Sequence, residues 1–169
     1  MKQALRERVK PILFINKVDR MITELKLTPE KMQERFKKII DHFNLLLEQI
    51  AEKEYAQKWK VNVADGSVIF GSARENWAMS AKFMQKKGIS FKDIIDNQNK
   101  EDAEAKKDWF WKNAPLFEVL LDSVITHLPS PIEAQKYRIP KIWQGDPESD
   151  FGKQLLSCDP NGEPAFVIT

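Results

Sequence analysis

The chain has 169 residues, of which 42% are hydrophobic and 31% charged, the balance of a soluble globular protein with one modest core. Twenty-seven Lys and Arg against 25 Asp and Glu leave a net charge of +2, which excludes a strongly basic nucleic-acid binder and confines any nucleic-acid contact to a local patch. The single cysteine, Cys158, excludes an internal disulfide framework and fits a reducing, cytoplasmic compartment, and the N-terminal apolar run is too short for a signal peptide or a membrane span.

After a basic N-terminal segment, Ile12-Leu13-Phe14-Ile15 reads as a short buried parallel strand. It ends in Asn16-Lys17-Val18-Asp19, and open α/β sheets bind ligands beyond the carboxyl ends of their strands. This loop has the form of a guanine reader. Guanine presents N1–H and its exocyclic amine as parallel donors, and an ionised carboxylate, here Asp19, accepts both, whereas adenine offers no such pair. The Lys17 stem would lie along one face of the base and Asn16 would tie the loop to its neighbours. A polar strand-end loop is the simpler alternative.

Thr28 is a good N-cap with Pro29 at the first helical position, and apolar residues recur at Met32, Phe36, Ile39, Ile40, Phe43, Leu46, Leu47 and Ile50, which predicts a long amphipathic helix. Asp65-Gly66 predicts a hairpin turn between residues 61–64 and 67–70. Its second arm, Val68-Ile69-Phe70, runs into Gly71-Ser72-Ala73, where small residues let the backbone approach a ligand and the Ala73 amide can donate to guanine O6. Trp77 to Lys87 reads as a helix closed by Gly88, Ser90 with Asp93 as a capping box, and Glu101 to Trp111 as a charged helix. Leu116 to His127 gives a last helix, stopped by Pro129 and Pro131. Prolines accumulate between Ser130 and Pro164, which predicts an extended linker, and Ala165 to Thr169 reads as a strand. The fold class is α/β and helix-rich, with a short hairpin and an extended C-terminal linker.

Other eye-catching residues have plain readings. His42 and His127 lie far apart with no Cys or carboxylate cluster, so no metal site is expected. Trp109-Phe110-Trp111 can stack on RNA bases, but core or interface roles are the default. Lys82, Lys86, Lys87 and Lys106-Lys107 read as solvated faces, and Cys158 as inert.

Three segments together resemble the ribosomal translocase family of translational GTPases in its archaeal form: Glu7 to Arg20 with its Asn16-Lys17-Val18-Asp19 loop, Gly66 to Ala73, and His127-Leu128-Pro129-Ser130-Pro131-Ile132-Glu133-Ala134-Gln135-Lys136-Tyr137-Arg138. The last is the most diagnostic, and Ile139 to Asp146 is similar to the family's passage between the GTPase domain and the following barrel. The resemblance implies a partial P-loop GTPase fold, with residues 1–138 as the C-terminal half of the GTPase domain and 139–169 as linker and first strand of the next domain. It implies that Asn16, Lys17, Asp19, Ser72 and Ala73 bind the guanine of GTP or GDP, and that the partner is the ribosome, on which the parent protein hydrolyses GTP as tRNA and mRNA move.

Asp19 and Ser72 are 53 positions apart, more than in a simple GTPase, so something is inserted between the two loops. No G-x-x-x-x-G-K-[ST] phosphate loop occurs among the six glycines. The family's Mg2+-binding residues would lie upstream of Met1, both ends read as cuts in a longer protein, and the chain alone is expected to be inactive. A related translational or spliceosomal GTPase and a stand-alone helical interaction module without nucleotide binding are the alternatives. Self-association of the chain is expected through its unpaired strand edge or through the long helix at Met32 to Ile50.

Overall fold

Two short apolar strands lie side by side in a computed structural model that describes residues 2–166. β1 (Leu13–Ile15) and β2 (Val68–Ser72) run parallel with Leu13 opposite Val68, Phe14 opposite Ile69 and Ile15 opposite Phe70. β3 (Trp77–Met79) returns antiparallel, with Gly71 opposite Ala78, so the sheet order is β1-β2-β3. Successive side chains of a strand point to opposite faces. Leu13, Ile15, Val68, Phe70, Trp77 and Met79 therefore enter one core with Met32, Phe36, Ile94 and Phe110. Phe14, Ile69 and Ala78 enter the other with Phe83 and Val119. β2 is buried at every position, which is why it reads as a continuous apolar run rather than an alternating one.

Helices supply both layers. α1 (Lys2–Arg6), α2 (Val18–Thr23), α3 (Pro29–Ile50) and α4 (Lys53–Lys58) come before β2. α3 starts as its sequence dictates: the Thr28 side chain accepts from the Lys31 N–H, and Pro29 occupies the first turn, where a missing N–H costs nothing. Its far half joins Leu5, Tyr55, Ala56 and Trp59 in a smaller cluster that binds α1 and α4 to it. After β3 come α5 (Ala81–Lys87), α6 (Phe91–Gln98), α7 (Ala103–Asn113) and α8 (Leu116–His127). Ser90 and Asp93 form the expected capping box of α6, and Gly88 closes α5 in the left-handed conformation at φ 68°.

Three expectations are corrected. Residues 61–64 form no strand, so the hairpin does not lie at Asp65-Gly66. The Asn44 side chain takes both the N–H and the carbonyl of Val61, and Asp65 Oδ1 accepts from the Ser67 N–H and hydroxyl, which uses the groups a ladder would need. The hairpin is instead β2–β3, turning through residues 73–76 with Asn76 at φ 56°. Trp77 to Met79 is likewise strand, not helix, because all three side chains are buried on alternate faces of the sheet; the helix begins only after the Ser80 cap, which accepts from the Phe83 N–H.

The third correction concerns the C-terminal stretch, which is helical rather than extended. α9 (Pro131–Ile142) begins with a complete Ser130–Glu133 capping box and Pro131 in its first turn, and α10 (Asp150–Ser157) is capped by Ser149. Pro131, at the helix start, permits a helix that a proline count argues against, and α9 continues through Pro140 in its interior. Arg8 fastens α9 to the N-terminal segment: its guanidinium donates to the Tyr137 carbonyl at 2.6 Å and to Glu52 at 2.8 Å. Arg138 donates to the Glu7 carbonyl at 3.2 Å, and Lys141 lies 3.2 Å from Glu52. Arg8 and then Lys141 hold the Glu52 carboxyl below the usual carboxylate range. α10 packs on α9. Of the strand expected at Ala165–Thr169, residues 167–169 lie outside the described residues, and Ala165 and Phe166 are not in a strand.

The closeness of β2 and β3 depends on Gly71. A Cβ there would press against the Trp77 carbonyl oxygen and stand 2.9 Å from the Ala78 Cα, both backbone atoms that cannot step aside. Gly71→Ala is expected to cost about 1–3 kcal/mol or more in urea denaturation, as overpacking at a buried contact does. A loss below about 1 kcal/mol would show that the two strands are free to separate.

Candidate functional site

Because β1 and β2 are parallel, their carboxyl ends face the same way, and the loops that follow them meet. Asn16 makes the junction. Its side-chain oxygen accepts from the Lys17 N–H at 2.8 Å and from the Ala73 N–H at 3.0 Å, joining residues 57 positions apart. Lys17 takes the left-handed conformation at φ 65° and ψ 32°, which turns the chain directly from β1 into α2. Asp19 then falls in the first turn of α2, where the exposed backbone amides of a helix start favour a negative charge.

Asp19 is the unusual member of the group. It is 7% exposed, and its Oδ1 is shut away from solvent without any hydrogen-bond partner. A buried carboxylate oxygen without a donor costs free energy on the order of 1–3 kcal/mol or more, so the fold keeps an acceptor there at a loss.

Ser72 and Ala73 both have hydrogen-bond partners within the chain. Ser72 is 1% exposed, and its hydroxyl is turned inward to accept from the Glu75 N–H at 3.2 Å. At Gly71 the space a Cβ would fill is taken by β3. The Ala73 amide, expected to meet guanine O6, donates to Asn16 in this structure. Behind the loop, Glu75 is gripped by Gln98 from α6 at 2.8 Å and approached by Lys106 from α7 at 3.6 Å. No sequence signal marks Glu75 or Gln98, since their pairing depends on how α6 packs.

The remaining candidates have structural roles. His42 is exposed on α3. His127 ends α8, where burial pushes its imidazole below the usual value while Asp65 opposes the shift. Among the described residues, no three His, Cys, Asp or Glu come together in a way that would hold a metal ion. Phe110 is buried and stacks on Trp77 at 5.0 Å and 12°, Trp109 packs on that core, and only Trp111 is largely exposed. Cys158 caps α10 at φ 53°. A cavity of about 570 Å3 lies between α3, the 61–63 loop and α6, lined by Phe36, Ile40, Val61, Phe70 and Phe91. It contains none of the loop residues around Asn16. Among the described residues no helix is long and apolar enough to cross a membrane.

Comparison with known proteins agrees with this geometry. Residues 1–130, which contain both loops, match the elongation factor Tu GTP binding domain. Over its whole length the chain is 60% identical to elongation factor 2 of Methanococcus aeolicus and of Methanocaldococcus jannaschii, and 56% identical to elongation factor 2 of Thermococcus kodakarensis. It spans 22–23% of the length of these relatives. With the model match running over most of the chain and across both loops, the chain belongs to the elongation factor Tu GTP-binding domain family.

Proposed function

We propose that Asn16, Lys17, Asp19, Ser72 and Ala73 are the guanine-recognising part of a translation elongation GTPase that works on the ribosome, coupling GTP hydrolysis to the movement of tRNA and mRNA. The observation that carries this reading is the meeting of the two loops at the carboxyl ends of a parallel strand pair, where Asn16 accepts from the Ala73 N–H and Asp19 follows in the first turn of α2. The guanine N1–H and exocyclic amine would satisfy the Asp19 carboxylate together. Lys17 would lay its stem along the base. Guanine O6 would compete with Asn16 for the Ala73 amide, and Ser72 would hold the turn that presents it. Neither the phosphates nor Mg2+ has a phosphate-loop sequence to bind within this chain, so those contacts belong to other parts of the full-length protein.

In that full-length protein, Asp19→Asn replaces one acceptor with a donor, which opposes the guanine amine and suits the 2-oxo group of xanthine. Preference is expected to move from GTP to XTP by several kcal/mol in relative specificity, up to about 10⁴-fold. Asn16→Ala should weaken both nucleotides without changing the ratio. An unchanged GTP/XTP ratio in Asp19→Asn, read by competition binding, would remove the guanine assignment.

The chain by itself should bind GDP more weakly than about 1 mM, because a few hydrogen bonds of roughly 1 kcal/mol each cannot offset the cost of immobilising the ligand. Micromolar affinity in calorimetry would contradict this.

Among the described residues β1 pairs only with β2, which leaves its other edge without a strand. Open apolar edges recruit further strands, so dimers or larger species are expected in light scattering at about 100 μM. A monodisperse monomer at that concentration would show that the edge is too short to template pairing.

A further inference from the structure

The turn after β2 is held from behind by a buried chain of hydrogen bonds. Trp77 Nε1 donates to Gln98 Oε1 at 3.1 Å, and Gln98 Nε2 donates to Glu75 Oε2 at 2.8 Å. The backbone N–H of Glu75 donates to Ser72 Oγ at 3.2 Å, and Lys106 Nζ stands 3.6 Å from the same Glu75 oxygen. Gln98 is 2% exposed and Trp77 fully buried. The orientation of the Gln98 amide is fixed by its partners: an indole only donates, so Oε1 must face it, and a carboxylate only accepts, so Nε2 must face that.

The far end of the turn is secured independently, by the Leu116 N–H donating to the Asn76 carbonyl at 3.1 Å. Between these anchors Ala73 meets Asn16 across the gap between the two loops. Without Gln98, the Glu75 side chain keeps only the longer contact to Lys106, the Trp77 indole N–H is buried without an acceptor, and the turn relies on Ser72 alone. Trp77 also stacks on Phe110 of α7, so α6, α7 and the sheet meet where the turn is gripped.

We propose that Gln98 is a positioning residue for guanine recognition: acting through Glu75 it fixes the turn from Ser72 to Glu75 and the place of the Ala73 amide, so that the packing of α6 and α7 sets the affinity for guanine. This rests on the guanine reading of the two loops. It gives the helices after β3 a means of tuning a site they do not touch, and it makes the site sensitive to anything that displaces α6.

The test is NMR on the chain titrated with GMP to roughly 50 mM, as the weak affinity expected of the chain alone requires, with AMP as control, following the Asp19, Ala73 and Glu75 amides together with their hydrogen exchange. Wild type should shift at Asp19 and Ala73 with GMP only. Gln98→Met should weaken GMP about fivefold, the equivalent of one lost hydrogen bond, and speed Glu75 amide exchange about tenfold while the spectrum stays dispersed. Gln98→Glu sets two carboxylates face to face and should weaken GMP about tenfold, since like charges at such a distance disfavour one another. Adding Glu75→Gln to Gln98→Glu restores a donor facing an acceptor, and should recover GMP binding to within about threefold of wild type. That recovery is not expected of a residue that merely fills the core, and the double variant carries the test if Gln98→Met does not fold. Variants that bind GMP as wild type does, or a double variant no better than Gln98→Glu, would overturn the proposal. If wild type did not distinguish GMP from AMP, the guanine reading would fail, and unchanged Ala73 and Glu75 exchange in Gln98→Glu would overturn the anchoring role as well.

Discussion

The parallel pairing of β1 with β2 is the constraint on which the rest depends. Three residue pairs in register place two loops, far apart in sequence, at the same end of the sheet, and one side chain, Asn16, then joins them. Val68 and Ile69 are fully buried, and burying such side chains contributes about 1.5–3 kcal/mol each. A one-residue slip would exchange the two cores, because alternate residues of each strand enter opposite ones. The register is therefore held by the same apolar contacts that stabilise the fold, and the relative position of the two loops inherits that certainty.

Around this pair the molecule divides its work between apolar burial and directed polar contacts. The cores on the two faces and the α1–α3–α4 cluster supply the non-directional stabilisation. Polar groups decide geometry at the places where apolar packing does not: Asn44 stops Val61 from continuing a strand, Arg8 fixes α9 to the N-terminal segment, and Gln98 grips the turn behind Ser72. Each is a long-range contact to backbone or to a charged group, the kind whose loss leaves a polar atom unpaired.

Similarity to elongation factor 2 over the whole chain, and the match to the elongation factor Tu GTP binding domain, give a context for Asp19 Oδ1, which with Arg8 Nε and Asn97 Oδ1 is one of three buried side-chain atoms that the fold leaves unsatisfied among the described residues. A buried acceptor is costly unless something supplies a donor. Asp19 Oδ1 has none from the chain. The chain spans under a quarter of those relatives, and the surfaces that remain open, β1's outer edge and the apolar residues Phe117, Leu121 and Ile125 along α8, are where a larger assembly has room to add contacts.

The sequence by itself determined what depends on nearby residues. The two apolar strands, the Thr28-Pro29 start of α3, the Ser90–Asp93 box and the Asn16-Lys17-Val18-Asp19 loop are all legible because cap, period and loop chemistry act within a few positions. Only the tertiary structure decided where backbone groups find distant partners. Asp65-Gly66 has the composition of a hairpin turn, yet Asn44 from α3 claims the backbone of Val61. Trp77 to Met79 looks like the start of a helix, yet β2 offers it a ladder and two cores to fill. The prolines after Ser130 argue for extended chain, yet Pro131 falls where a helix tolerates it, and Arg8 holds the helix in place. The Gly71 contact, the occupied Ala73 amide and the Gln98 grip on Glu75 left no trace in local pattern, because a hydrogen bond between residues tens of positions apart is set by packing, which no short window of sequence contains.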